Sequence, residues 1–294
     1  MYDFDTLDNP APIDLPWVFF GTDEFSVGVL NELMREGLTP MLIVTPPDRP
    51  KGRNKELTPP EAKTWALEHK IPYFQPEKLD AVAQAELAKK TYEFFIVASY
   101  GKLLPKAVLS LPKHGVLNVH PSLLPKYRGP SPIEAQILND DKEVGVSIML
   151  LDEGMDSGPI LAQETIHSGA LPMPAPVLTH LLADIGGRLL AHSLHPYLEG
   201  ELTPKAQDGD LATFCHMIKK EDGEIDVRGD ARKNYLAYLA HQDWPGTYFF
   251  VERKGTKMRV IVKQAFWENN TFQIKRVLPE GGREMDYADF LRGN

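Results

Sequence analysis

One cysteine, Cys215, stands in 294 residues. A single thiol closes no intramolecular disulfide and offers no cysteine cluster for structural zinc, which fits a reducing compartment. No run of the sequence approaches the roughly 18 apolar residues of a membrane-spanning helix. The opening stretch, MYDFDTLDNPAPIDLP, has neither the basic n-region nor the apolar h-region of a signal peptide, and reads as an extension over residues 1–16. Gly21 does not begin a G-x-G-x-x-G fingerprint, so no dinucleotide site is implied. His180, His192 and His195 fall in or at the end of one helical stretch without metal-ligand spacing, and no metal is expected. These absences predict a cytoplasmic protein with no membrane partner, expected as a monomer.

What is present is ordinary for a globular chain: 43% apolar and 25% charged residues, in a length that suits two domains. The net charge of −9 argues against a nucleic-acid partner until its distribution is considered. Residues 208–294 balance 14 basic against 14 acidic residues, so the first 207 carry the whole excess. Within the balanced part, Val251–Arg276 holds seven basic residues and two acidic ones. A second cluster, Arg49, Lys51, Arg53 and Lys55, interrupts the acidic part. Taken alone, each cluster reads equally well as solvated surface.

Apolar runs WVFFG (17–21), PMLIVT (40–45), FFIVASY (94–100) and GVLNVH (115–120) alternate with amphipathic stretches such as EFSVGVLNELMREG. That alternation predicts an α/β domain with a mostly parallel sheet over residues 17–200. PPDRPKGRNKELTPP is too rich in proline and charge for regular structure, and is expected to be irregular. VGVSIMLLD and PILAQETI form a strand pair, and a long helix follows. Residues 201–210 read as a linker. Residues 211–294 then offer one helix, DARKNYLAYLAHQ, and three strand-like runs, a small β-rich second domain. Trp244, Tyr248, Phe249 and Phe250 are expected in its core, and Cys215, between Phe214 and Met217, reads as inert buried thiol.

The residues suited to chemistry concentrate in LNVHPSLLPKYRGPSPIEAQIL (117–138) and LLDEGMDSGPIL (150–161). Asn118 and His120, two apart on a strand, point to one side of the sheet near the strand's carboxyl end, where open α/β sheets bind ligands. The long loop after them is of the functional kind. An amine attacking an acyl carbon creates an oxyanion that an Asn amide and an imidazole N–H can stabilise. A carboxylate beside the histidine, with Asp156 the candidate, can share the proton transfers. The structural alternative is that His120 caps a strand end and Asp156 a turn.

N-V-H-P-S-L-L-P-K-Y-R-G followed by D-E-G-M-D-S-G resembles the folate-dependent formyltransferase family. The resemblance implies a Rossmann-like catalytic domain, catalytic roles for Asn118, His120 and Asp156, and 10-formyltetrahydrofolate as co-substrate. It carries folate contacts onto Val97, Tyr100, Gly101, Leu104, Ser122, Leu123, Leu124, Pro125, Asp152 and Gly154. Within the family, GTDEFSVGVLNEL, TPPDRPKGRNKELTPPEAK, KKEDGEIDV and WPGTYF resemble the members that act on methionyl-tRNA. Their usual Pro is Asp23 here, and Val227 stands where a Trp is common. The likeness implies formylation of initiator methionyl-tRNA in translation initiation, tRNA contacts at Arg49, Lys51, Arg53 and Lys55, and an OB-like, shortened C-terminal domain. An amino-sugar N-formyltransferase is the alternative, with the same catalytic set but no need of the basic insertion.

Overall fold

A computed structural model describes residues 15–52, 55–167, 169, 171–253 and 255–293. Arg53 and the opening extension up to residue 14 lie outside the described residues. The chain divides into two compact units, one of Met1–Pro130, Val144–Ile166 and Thr179–Phe214, the other of Ser131–Glu143, His167–Leu178 and Cys215–Asn294.

The first unit is built on a seven-stranded sheet. In chain order its elements are β1 (Trp17–Gly21), α1 (Glu24–Arg35), β2 (Leu42–Val44), the short pair β3 (Arg49–Lys51) and β4 (Glu56–Thr58), α2 (Glu61–Glu68), β5 (Tyr73–Phe74), α3 (Ala81–Leu87), β6 (Phe94–Ala98), α4 (Lys106–Leu109) and β7 (Val116–His120). After α5 (Pro132–Leu138), which belongs to the second unit, come β8 (Glu143–Leu150), β9 (Ile160–His167) and the long α6 (Ala175–Leu198). The strand order is β5-β2-β1-β6-β7-β8-β9. Pairing is parallel from β5 through β7 and antiparallel between β7 and β8. The continuous apolar strands β1, β6 and β7 are buried at every residue, as strands covered on both faces must be.

Helix α6 lies close over β7 and against α1 because a glycine faces each. A Cβ on Gly186 would meet Val119 Cγ1 at 2.6 Å, and one on Gly187 would meet Glu32 Cβ at 2.6 Å. Val119 therefore faces α6, and strand alternation turns its neighbours Asn118 and His120 to the other face.

Two expectations for this unit need correction or restatement. Within the stretch expected to be irregular, Arg49–Lys51 and Glu56–Thr58 form a small antiparallel ladder, Arg49 opposite Thr58, Pro50 opposite Leu57 and Lys51 opposite Glu56. Positive φ at Gly52 and Lys55 makes the turn, and an isolated two-stranded ribbon leaves Pro50 without a ladder donor to lose. The stretch 201–210, expected as a linker, is held to the first unit. Lys205 and Ile160 exchange two backbone hydrogen bonds of 2.7 Å.

The second unit carries a four-stranded antiparallel sheet in the order β10 (Tyr248–Arg253), β11 (Thr256–Glu268), β12 (Thr271–Pro279), β13 (Met285–Asp286). Its edge strands β10 and β13 do not pair with each other, so among the described residues the sheet stays open. The helices α7 (Ala231–Ala240) and α8 (Tyr287–Arg292) pack on it around Ile225, Phe249, Val260, Val262, Val277 and Phe290. Arg232 on α7 grips Asp140, just beyond α5, through two hydrogen bonds of 2.7 and 3.1 Å. Tyr248 and Phe249 are core residues, but Trp244 is 55% exposed and does not join them. Cys215 is only half-buried, with Phe214 and Met217 on either side of it exposed. Its sulfur accepts a hydrogen bond from the Ser131 amide at 3.3 Å, from 84 residues away in the chain.

Candidate active site

Strand β7 delivers the central pair. Asn118 pairs with Val97 of β6 on one side and Met149 of β8 on the other, while His120 sits opposite Ser147. Both side chains are nearly buried, 7% and 4% exposed. Among the described residues the Asn118 amide has no hydrogen-bond partner, which leaves its N–H₂ free to meet a ligand oxygen.

His120 is held from one side. Its Nε2 lies 3.0 Å from the Tyr127 carbonyl, which can only accept, so this nitrogen carries the proton. Its Nδ1 faces Asp156 Oδ2 at 3.9 Å. That gap is too long for a hydrogen bond and short enough for strong charge coupling. Both ring nitrogens thus face acceptors, one at hydrogen-bond distance and the other beyond it.

The loop beyond β7 is rigidly tied. Ser147, fully buried on β8, gives its hydroxyl proton to the Ser122 carbonyl at 2.6 Å and accepts from the Leu124 amide at 3.0 Å and the Gln163 amide at 2.8 Å. Ser122 Oγ donates to the Lys126 carbonyl at 2.7 Å. Farther on, Tyr127 N donates to Thr213 Oγ1 and Arg128 N to the Thr213 carbonyl, at 2.8 and 2.9 Å. The Gly129 amide donates to Asp156 Oδ2 at 2.8 Å, so one carboxylate oxygen faces both the loop and the imidazole. Tyr127 and Asp156 both adopt positive φ, 59° and 49°, a conformation that costs non-glycine residues and collects at functional sites. Asp and Asn bear it best.

A residue that sequence reading missed completes the frame. Gln207 Oε1 accepts from Arg128 Nε and Nη2 at 3.0 and 2.8 Å, and its Nε2 donates to the carbonyls of Asp156 and Gly158 at 2.8 and 2.7 Å. Nothing local to the sequence around Gln207 announces this, since its partners lie about fifty and eighty residues away.

The residues expected at the folate fall into three settings. Val97, Tyr100 and Leu104 belong to one buried apolar cluster with Phe20, Phe95 and Val116, while Ser99, Gly101 and Leu103 between them are exposed. Burial pushes the Tyr100 phenol up to about 12, and its hydroxyl has no hydrogen-bond partner among the described residues. Ser122 and Leu124 are buried parts of the loop frame, with Leu123 and Pro125 half-buried beside them. Asp152 and Gly154 are exposed, where Asp152 accepts from the Gly154 amide at 2.9 Å and the Ser157 hydroxyl at 3.0 Å. At the neighbouring strand ends, Asp23 caps α1 through the Ser26 amide at 3.2 Å and accepts from the Ser99 hydroxyl. Burial pushes the Asp23 carboxyl above its usual range.

The basic hairpin is engaged with its own unit. Arg49 pairs with Glu77 at 2.6 Å and Lys51 with Glu61 at 2.9 Å, all on exposed side chains, while Lys55 at the turn has no described partner. In the second unit the basic stretch lies over aromatic rings. Lys257 is 3.9 Å from the Phe250 centroid and Arg259 is 3.7 Å from that of Tyr248. Among the described residues no group of three or more His, Cys, Asp or Glu could hold a metal, and no helix is long and apolar enough to cross a membrane.

An amide donor and a histidine–carboxylate pair at the carboxyl end of a parallel strand suit acyl transfer, and a family model described as formyl transferase matches residues 17–170. Fold and motif together define a formyl transferase domain. The full chain has relatives as well. A methionyl-tRNA formyltransferase of Thermodesulfovibrio yellowstonii is 37% identical over 94% of this chain and 95% of its own. One of Chloroflexus aurantiacus is 44% identical over 83% of this chain and 78% of its own. Among solved structures, HypX from Aquifex aeolicus in complex with tetrahydrofolic acid shares the fold, with a TM-score of 0.65 at 15% identity, over 95% of this chain and 47% of HypX. The chain thus spans about half of HypX. The chain belongs to the methionyl-tRNA formyltransferase family.

Proposed function

We propose that the protein transfers the formyl group of 10-formyltetrahydrofolate to the α-amine of initiator methionyl-tRNA, a step of translation initiation. The relatives' shared name supports the reaction and its acceptor. A tetrahydrofolic acid complex of a protein with the same fold is in keeping with a folate donor. The acceptor nitrogen attacks the formyl carbon, the carbonyl becomes an oxyanion, and the bond from carbon to N10 of the folate then breaks. The acceptor nitrogen loses one proton and N10 gains one, so the transfer balances without a further reactant.

Each residue of the trio has a part in this. The unpartnered Asn118 amide donates to the oxyanion, where one such donor is worth about 10²–10³ in rate. His120 contributes a second N–H from Nδ1, because Nε2 is already committed to the Tyr127 carbonyl. Asp156 accepts the proton shed by the amine, a role open to it because 3.9 Å separates it from the imidazole and no hydrogen bond ties the two. The observation that carries the reading is this free amide beside a histidine–carboxylate pair, at the end of β7, in a chain of this family.

The acceptor end of the tRNA is recognised through the hairpin cations Arg49, Lys51, Arg53 and Lys55. The ion pairs of Arg49 and Lys51 are exposed and worth at most about 1 kcal/mol, so phosphates can displace their carboxylate partners. We place the activity in the cytoplasm, on a monomer, with no metal required. The test supplies 10-formyltetrahydrofolate with charged initiator tRNA and a nucleotide-linked amino sugar in one mixture. Formylmethionyl-tRNA is the expected product. Formylation of the sugar alone would replace this reading with the amino-sugar one.

A further inference from the structure

We infer that Gln207 is a positioning residue for the transfer, fixing the Asp156 turn against the loop that holds His120. The inference rests on the proposed reaction. Gln207 follows the last strand of the parallel sheet by some forty residues and touches none of the three reacting side chains by their side-chain atoms. It uses its whole amide to join two loops. The oxygen takes two hydrogen bonds from the buried Arg128, and the nitrogen gives both protons to main-chain carbonyls of the Asp156 turn.

The two loops so joined are those that set the catalytic geometry. Arg128 lies between Tyr127, whose carbonyl fixes His120 Nε2, and Gly129, whose amide fixes Asp156 Oδ2. Asp156 and Gly158 flank the turn in which Asp156 takes φ 49°. That turn has little freedom on its far side, because a Cβ on Gly158 would meet the Leu150 carbonyl at 1.9 Å. A strained turn needs outside contacts to stay populated. Gln207 supplies two of them at the residue that carries the carboxylate. Only a side chain that both accepts and donates can do this, which separates Gln from its isostere Glu.

Gln207→Glu tests the point. The carboxylate keeps, and strengthens, the acceptor for Arg128, so folding is preserved. It places an oxygen against two carbonyls and so pushes the Asp156 turn away. Displacement of a catalytic group by about 1 Å can cost about a hundredfold. The expected result is turnover lower by about tenfold to a hundredfold, with Michaelis constants for folate and tRNA and the melting temperature little changed. Gln207→Leu, which removes both halves of the contact, should lose at least as much. Hydrogen exchange at the amides of Asp156, Ser157 and Gly158 should accelerate in Gln207→Glu. Turnover of the Glu variant equal to that of the wild type, or unchanged exchange in the turn, would overturn the inference. Exchange needs no substrate, so it decides the positioning role even if the wild-type chain formylates nothing, a result that would sink the functional reading instead.

Discussion

Replacing Asp156 by Asn removes one charge and almost nothing else. Asn tolerates the positive φ of 49° that Asp156 adopts, and its Oδ1 can still accept from the Gly129 amide at 2.8 Å. What vanishes is the attraction for a protonated His120 and the capacity to take a proton. At the 3.9 Å separation, a charge pair with an effective dielectric of about 20 is worth about 4 kcal/mol. If that coupling is realised only as charge develops, about 1.4 kcal/mol per decade converts it to nearly a thousandfold in rate. The Asp156 side chain keeps 17% of its surface exposed, which screens part of it, so a loss of about a hundredfold to a thousandfold is expected. Stability should fall by less than about 1 kcal/mol, the scale of one altered hydrogen bond. Asp156→Ala should cost more stability, since alanine pays about 1–2 kcal/mol in this backbone region and leaves Gly129 without its acceptor. The assay is single-turnover transfer at saturating 10-formyltetrahydrofolate, read beside a thermal melt of each variant. Turnover by Asp156→Asn within about threefold of wild type would show that the carboxylate's charge has no part in the chemistry.

Other consequences can be measured independently. Lys55→Ala removes a cation without a partner among the described residues, and should lower the log–log salt slope of tRNA binding by somewhat under about one unit while leaving folate binding alone. An unchanged slope would return the hairpin to plain solvated surface. His241 is buried with neither ring nitrogen partnered among the described residues; burial pushes its pKa down, against the pull of Asp222 and with the push of His216. The unfolded chain therefore binds this proton more readily, and stability is full above the ordinary histidine value near about 6.5 and is lost as pH falls through it, by up to about 1.4 kcal/mol per pH unit. The melting temperature should drop between about pH 7.5 and pH 5.5, less so in His241→Leu, and equal slopes in the two proteins would refute the assignment.

The sequence makes some parts of this site legible and hides others for a physical reason. Asn118 and His120 can be read directly, because a period of two on a buried strand fixes their common face without any knowledge of the rest of the chain. The apolar strands β1, β6 and β7 announce themselves in the same way. Asp156 needs the family motif, since its approach to His120 is made across thirty-six residues by two loops. Gln207 is invisible, because its meaning lies wholly in contacts with Arg128, Asp156 and Gly158. The hairpin at 49–58 was obscured by proline and charge, which weigh against a strand in a sheet but not against an isolated three-residue ladder closed by Gly52 and Lys55. Trp244 misled for the opposite reason: an aromatic side chain near a small core is counted inside it, yet this one stands 55% exposed.

The central claim is that formyl transfer to methionyl-tRNA runs through the pair at the end of β7. Its most direct test is single-turnover transfer from 10-formyltetrahydrofolate to charged initiator tRNA by the wild type, Asn118→Ala and His120→Ala, each verified as folded. The account predicts formylmethionyl-tRNA from the wild type and at least about a hundredfold slower formation in both variants, at unchanged folate affinity. Near-normal turnover by either variant would remove that residue from the mechanism, and a wild type that leaves methionyl-tRNA unformylated would contradict the account as a whole.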